Sequence, residues 1–183
     1  MSPCFISPLD ETVEPCYNES MRLVSSGRPK ARIWLPVAEL VLIAGMIWFF
    51  SSQSAEDSTL LSGGIAEWLL ERLRPGYTEA QLSGFSALLR KLAHMAEFAL
   101  LGQALICLFT GLFPGRGLGR PALGALAAAV PLAALDEGHQ IFVSGRAPEL
   151  MDIGIDTLGA LLGVALTAMI LYHLNHRKEG TRT

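Results

Sequence analysis

The sequence predicts an all-α fold: a polytopic membrane protein with four transmembrane helices plus one interfacial amphipathic helix. Three observations carry that expectation. Of the 183 residues, 51% are hydrophobic and only 17% charged, and the mean hydropathy is +0.40. The apolar residues are blocked into runs long enough to span a hydrocarbon core, which takes roughly 20 residues of helix. Strong acids, an imidazole, a carboxamide and a guanidinium are crowded into 136–156, between two such runs. A soluble domain of this length would carry a largely charged surface instead.

The first 32 residues fall into two parts. Residues 1–20 contain Asp10, Glu11, Glu14 and Glu19, three prolines and no Lys or Arg, so a disordered segment is expected. Arg22, Arg28, Lys30 and Arg32 follow as a basic stretch. No apolar h-region stands near the start, which argues against a cleaved signal peptide. Met21 opens the basic stretch and leaves a later start codon open.

Residues 33–50 form the first apolar run, with aromatic residues at both edges as interfacial anchors would be and Glu39 as its one acid. Ser51-Ser-Gln-Ser54 follows, a quartet suited to capping or turning the chain. In 59–74, Leu60, Leu61, Ile65, Trp68, Leu69 and Leu73 recur at roughly helical spacing among Glu67, Glu71, Arg72 and Arg74. That stretch is too polar to span and suits a helix lying in the interface. Ser62-Gly-Gly64 weakens its first turn, and Pro75-Gly76 ends it.

The second span covers 85–113. Arg90, His94 and Glu97 share one face of it, with Lys91 beside Arg90. A glycine-rich loop with Arg116 and Arg120 leads to the third span, which starts at Pro121 and runs through an alanine-rich stretch into Asp136-Glu-Gly-His-Gln140. The fourth span starts near Pro148 and runs to about Leu171. Asp152, Asp156, Gly159 and Gly163 lie on one stripe of it, the glycines in a small-xxx-small packing arrangement. Residues 33–172 thus form the membrane domain and 173–183 a basic tail. Cys4, Cys16 and Cys107 are scattered, so neither a disulfide framework nor a CxxC metal site is indicated.

Basic residues cluster before the first span, between the second and third, and after the fourth. With four spans all three clusters fall on one side, and the positive-inside rule makes that side the cytoplasm. Both termini are then cytoplasmic, and Ser51 to Ser54, Arg90, Lys91, His94, Glu97, Asp136 to Gln140, Arg146, Asp152 and Asp156 lie in the outer half of the bilayer. Intramembrane ionisable groups are costly, so each is a functional candidate.

The set Ser51-Ser-Gln-Ser, Arg90-Lys-Leu-Ala-His94-x-x-Glu97-Phe98-Ala-Leu-Leu-Gly102, Asp136-Glu-x-His-Gln140, Gly145-Arg146 and Asp152-x-x-x-Asp156-x-x-Gly159-x-x-x-Gly163 resembles the VanZ-like family of small bacterial membrane proteins. The likeness covers about 33–172, in order and spacing. Phe98 stands where a tyrosine is common in that family, which removes a hydroxyl. The resemblance implies the bacterial inner membrane and a cell-envelope setting. Through the founding member it also implies a family link to resistance against the glycopeptide teicoplanin. It brings no established reaction.

His94, Glu97, Asp136, Glu137, Asp152 and Asp156 are the candidates for acid–base work, because crowded carboxylates in a poorly solvated site change their protonation behaviour. Arg90, Lys91, Gln140, Arg146, Ser51, Ser52 and Gln53 are the candidates for holding a ligand; Arg146 on a glycine-containing turn would grip a phosphate or carboxylate with its planar fork. Against these stand plainer readings, in which the acids form buried ion pairs with Arg90, Lys91 and Arg146 and Arg146 is merely solvated. His94 and Glu97 could ligate a metal with Asp136, His139 or Asp152, but a structural hydrogen-bonded contact is the commoner role. No metal and no cofactor are assigned. His139 lies off the face shared by Asp136 and Gln140.

The expected function is binding, with modification left open, of an anionic lipid or lipid-linked envelope precursor at an outward-facing polar site. The alternatives are a proton- or ion-coupled transporter and a non-catalytic membrane scaffold. Membrane lipids are the expected partners, nucleic acid is not, and the oligomeric state is open.

Overall fold

The computed structural model describes residues 31–180, with side chains described for 33–176. The segment 1–30, including its expected disorder and its basic stretch, lies outside the described residues, as do residues 181–183 of the basic tail. The fold is five helices: α1 (Ala31–Ser51), α2 (Ala55–Leu73), α3 (Glu79–Leu112), α4 (Gly119–Gln140) and α5 (Leu150–Gly180). No strand occurs among the described residues.

Several boundaries differ from the sequence reading for local reasons. Ser54 caps α2, its Oγ accepting from the Asp57 N–H at 3.1 Å, so the helix begins before Thr59 and continues through Gly63 and Gly64. Thr78 and Gln81 form a reciprocal capping box that starts α3 several residues before Phe85. At the other end, α5 continues past Leu171, so most of the basic tail is helical.

Three helices are long and apolar enough to cross a membrane: 33–51 of α1, α3, and 150–176 of α5. The fourth expected span, α4, does not meet that standard. Its sequence is Ala- and Gly-rich, with Arg120 at one end and Asp136-Glu137 at the other.

The distribution of polarity is that of a protein in lipid. Trp34, Leu35, Val41, Leu42, Trp48 and Phe49 are exposed on α1, while Ser51, Glu97, Asp136, Glu137, Gln140, Asp156 and Thr167 are buried. A water-soluble domain would reverse that preference. On α2 the expected apolar residues Leu60, Leu61, Ile65, Trp68 and Leu73 also face outward, and it is Ser62 and Ala66 that are buried. Ser62 Oγ and Ser86 Oγ, 2.7 Å apart, join α2 to α3.

Helix α3 packs against each of the other four helices, most extensively against α5. Small residues make that contact close. A Cβ built on Gly159 would lie 2.2 Å from the Met95 carbonyl oxygen, one on Gly163 1.8 Å from that of Ala99, and one on Gly102 2.3 Å from that of Ala160. The two backbones therefore touch across the small-xxx-small stripe, as in glycine-mediated membrane helix pairs. Gly163→Ala is expected to force α3 and α5 apart and cost about 1–3 kcal/mol. Gly45→Ala, where nothing lies within 4 Å of the added carbon, should be neutral or slightly stabilising. Melting temperatures of the two purified variants test the contrast, and an unchanged Gly163→Ala would contradict the close packing.

Candidate functional site

The end of α1, the N-terminal halves of α3 and α5, and the C-terminal end of α4 meet at one end of the bundle. Ser51, fully buried at the end of α1, donates to Asp136 Oδ2 of α4 at 2.8 Å. Gln140, one turn along α4, approaches the same oxygen through Nε2 at 3.5 Å. Glu137, also buried, accepts from the backbone N–H of Glu149 and so ties α4 to the start of α5. From α3 come half-buried His94 and buried Glu97, and from α5 comes Asp156, only 1% exposed. Nitrogen or oxygen atoms of His94, Asp136 and Asp156, one from each residue, all lie within 4.8 Å of one another.

The cations do not neutralise these acids. Lys91 pairs with Asp152 and, at 3.4 Å, with Glu149, and no other salt bridge occurs among the described residues. Arg90 donates through Nη1 to Thr59 Oγ1 of α2 at 2.7 Å. Arg146 donates to two backbone carbonyls at the end of α1, Nε to Gln53 at 3.0 Å and Nη2 to Phe50 at 3.3 Å. Burial lowers the Arg146 pKa from its ordinary value, with nearby Asp136 acting against that shift; the guanidinium stays charged. The plainer reading of ion pairs therefore holds for Lys91, with Asp152 and Glu149, and is corrected for Arg90 and Arg146, which meet a hydroxyl and backbone carbonyls instead of an acid. Glu97 Oε2, Glu137 Oε2 and Asp156 Oδ1 are buried with no hydrogen-bond partner.

A cavity of about 310 Å³ opens between α2, α3 and α5 and the 141–149 loop. Its lining brings together Arg90, Lys91, His94, Gln140, Arg146, Asp152 and Asp156 from the expected set. Ser51, Ser52, Gln53, Glu97, Asp136 and Glu137 lie outside that lining. Ser51 and Asp136 stand behind it. Ser52 Oγ donates to the Trp48 carbonyl one turn back on α1 and sits 3.1 Å from His139 Nε2 of α4. His139 stacks on Trp48 with ring centroids 3.9 Å apart, so its ring belongs to the α1–α4 contact. Gln53 contributes its backbone carbonyl.

Sequence reasoning missed Ser58, Thr59 and Glu149, which also line the cavity. A usable signal existed for Glu149, an acid at a helix start. Thr59 carried none, because its role depends on α2 folding back over α3.

The 141–149 loop closes the cavity. Gly145 adopts φ +75° in its turn, and a Cβ there would meet the Ala55 side chain at 3.1 Å. The backbone N–H of Ala55 donates to the Ser144 carbonyl at 3.1 Å. Arg146 completes the closure with two differently directed donors, which a single ammonium does not reproduce. Arg146→Lys should therefore lower stability by about 1–3 kcal/mol, read as a lower melting temperature. Full stability in that variant would show that the fork is dispensable.

Apolar helices whose polar side chains point inward define a helical membrane protein with a polar site at one end of its bundle. Residues 37–172 match the VanZ/LLP1 family model, and the chain belongs to that family. Membership carries the family-level link to teicoplanin resistance. No curated protein and no solved structure matches the chain.

Proposed function

We propose that the protein binds the anionic head group of a lipid or lipid-linked envelope precursor in the cavity between α2, α3 and α5. The observation that carries this reading is the pair of guanidinium groups, Arg90 and Arg146, which line one cavity and enter no salt bridge among the described residues. Lys91 adds a third cation, although it is engaged with Asp152 and Glu149. A phosphate would find planar donors on one side and His94 and Gln140 on another. The scaffold alternative is disfavoured by the same pattern, because charges that only fix helix register would be paired with one another.

In this reading α4 is the fourth span, buried against α3 and α5 and therefore free to be Ala-rich. Helix α2 lies in the interface with its leucines toward lipid. Arg116 and Arg120 mark the cytoplasmic end, as do both termini, and the cavity opens at the outer face. Cysteine labelling tests this topology. In a background with Cys4, Cys16 and Cys107 all changed to Ser, Glu56→Cys should react with an impermeant maleimide on intact cells and Arg120→Cys only after lysis. The reverse pattern would place the site inside.

Binding is tested with nanodiscs of phosphatidylglycerol against phosphatidylcholine, by native mass spectrometry of the purified protein. Loss of one charge-assisted contact is worth about 1.5–3 kcal/mol. Arg90→Gln should thus retain phosphatidylglycerol ten- to a hundredfold more weakly, at normal membrane abundance. In a deletion strain the same variant should fail to restore whatever change in teicoplanin sensitivity the wild type confers. Equal retention of both lipids by the wild type would remove the proposal. Loss of the variant from the membrane would restore the scaffold reading.

A further inference from the structure

Behind the cationic wall, His94, Asp136 and Asp156 converge from three different helices. We infer that these three side chains form a divalent-cation site, with an imidazole nitrogen and two carboxylate oxygens as ligands and a remaining coordination position open to the cavity. This inference stands on the three ligands alone and holds whatever anion the cavity takes.

Geometry comes first. The candidate ligand atoms lie within 4.8 Å of one another. Around a tetrahedral ion with bonds of about 2.0–2.2 Å, ligand atoms stand roughly 3.4 Å apart. In the inferred site, side-chain rotation on the three helices would draw the atoms together around the ion.

Charge is the second observation, independent of the first. Asp156 is 1% exposed and its Oδ1 has no partner, yet one of its carboxylate oxygens belongs to the cluster. No salt bridge reaches Asp136 or Asp156 among the described residues. Two buried carboxylates without a counter-charge are costly, and a divalent ion matches their charge.

The surroundings have the form of a metal site's outer shell. Ser51 Oγ and Gln140 Nε2 both hold Asp136 Oδ2, which fixes one carboxylate as outer-shell donors do around bound metals. His94 and Asp156 line the cavity while Asp136 stands behind them. Three protein ligands with one open side is the arrangement of zinc sites that bind water or substrate, whereas structural sites close all four positions. One nitrogen with two carboxylate oxygens suits Zn²⁺ or Mn²⁺ better than a soft ion such as Cu⁺. The spacing of His94 and Glu97 on one helix suggested a different set. The fold substitutes Asp156, from the neighbouring helix, for Glu97.

Metal content decides the matter. The full chain, purified with a tag free of histidine, is stripped with EDTA and dialysed against Zn²⁺ or Mn²⁺. Bound metal is then counted by inductively coupled plasma mass spectrometry, and the melting temperature is recorded with and without the ion. The wild type should hold about one ion per chain and melt at a higher temperature with the ion present. His94→Gln and Asp156→Asn should each bind at least tenfold more weakly and lose that shift. The double variant His173→Ala/His176→Ala and the single variant Cys107→Ser should bind as the wild type does. Arg90→Gln should keep the ion while losing anionic lipid, which separates this inference from the lipid reading. A wild type with no stoichiometric metal and no melting shift would overturn the site whatever the variants do, and would mean that the carboxyls carry protons instead. Undiminished binding in both His94→Gln and Asp156→Asn would overturn it equally.

Discussion

The backbone contact between α3 and α5 is the constraint on which the rest of the structure depends. At Gly159 and Gly163 the α5 backbone rests on the Met95 and Ala99 carbonyls, with no room for a side chain between them. That contact fixes both the distance and the rotation of the two helices. His94 precedes Met95 by one residue, and Asp156 precedes Gly159 by three. The same register therefore turns His94 and Asp156 toward each other. The polar cluster is a consequence of the glycine stripe, and a looser α3–α5 pair would disperse it.

Helix α4 supplies what the central pair lacks. Ala125, Ala129 and Ala133 are buried along one face of it, a spacing of four that continues into Glu137 at the end of the helix. Short side chains let α4 seat closely, so Asp136 reaches the cluster from one side while Ser51 of α1 holds its carboxylate. Arg146 fastens the loop that follows to the Phe50 carbonyl in the last turn of α1 and to the Gln53 carbonyl just beyond it. The Phe50 carbonyl also accepts from the Gln53 N–H at 3.2 Å, and the guanidinium, reaching both Phe50 and Gln53, joins the end of α1 to the loop before α5. Four separated parts of the chain are thereby locked around one small polar volume.

Much of this was legible in the sequence because helical periodicity and charge placement are local properties. The runs of 33–50, 85–113 and about 148–171 correspond to helices, and the convergence of Ser51, His94, Asp136, Arg146 and Asp156 at one end follows from their order along alternating helices. The pairing of charges was not legible. A helical wheel places Arg90, His94 and Glu97 on one face, yet it does not say which neighbour each meets. Arg90 finds Thr59 because α2 folds over α3, and Lys91 takes both Asp152 and Glu149. Glu97 shares a face with His94 but sits three residues along the helix, about 4.5 Å deeper. Asp156, whose height is set by the glycine contact, takes the place beside His94. Likewise the leucines of α2 showed amphipathicity without showing its direction. Their outward orientation depends on Ser62 and Ser86 meeting, which is a tertiary fact.

Charge separation is what distinguishes this cluster from an ordinary buried salt-bridge network. Three cations and four buried carboxylates occupy neighbouring space, yet the only ion pairs among the described residues join Lys91 to Asp152 and Glu149, which are not buried. A fold under selection for stability alone has cheaper arrangements, since apolar residues of similar volume often replace a buried ionic group without loss. Arg90, Arg146 and Asp156 line the same cavity, with Asp136 behind it, yet no salt bridge joins these opposite charges among the described residues. On the proposed readings, an anion on the guanidinium side and a cation near the carboxylates would offset that separation. The orphaned Asp156 oxygen and two guanidinium groups without a carboxylate partner are thus two sides of one observation, opposite charges that the fold brings near one another without pairing.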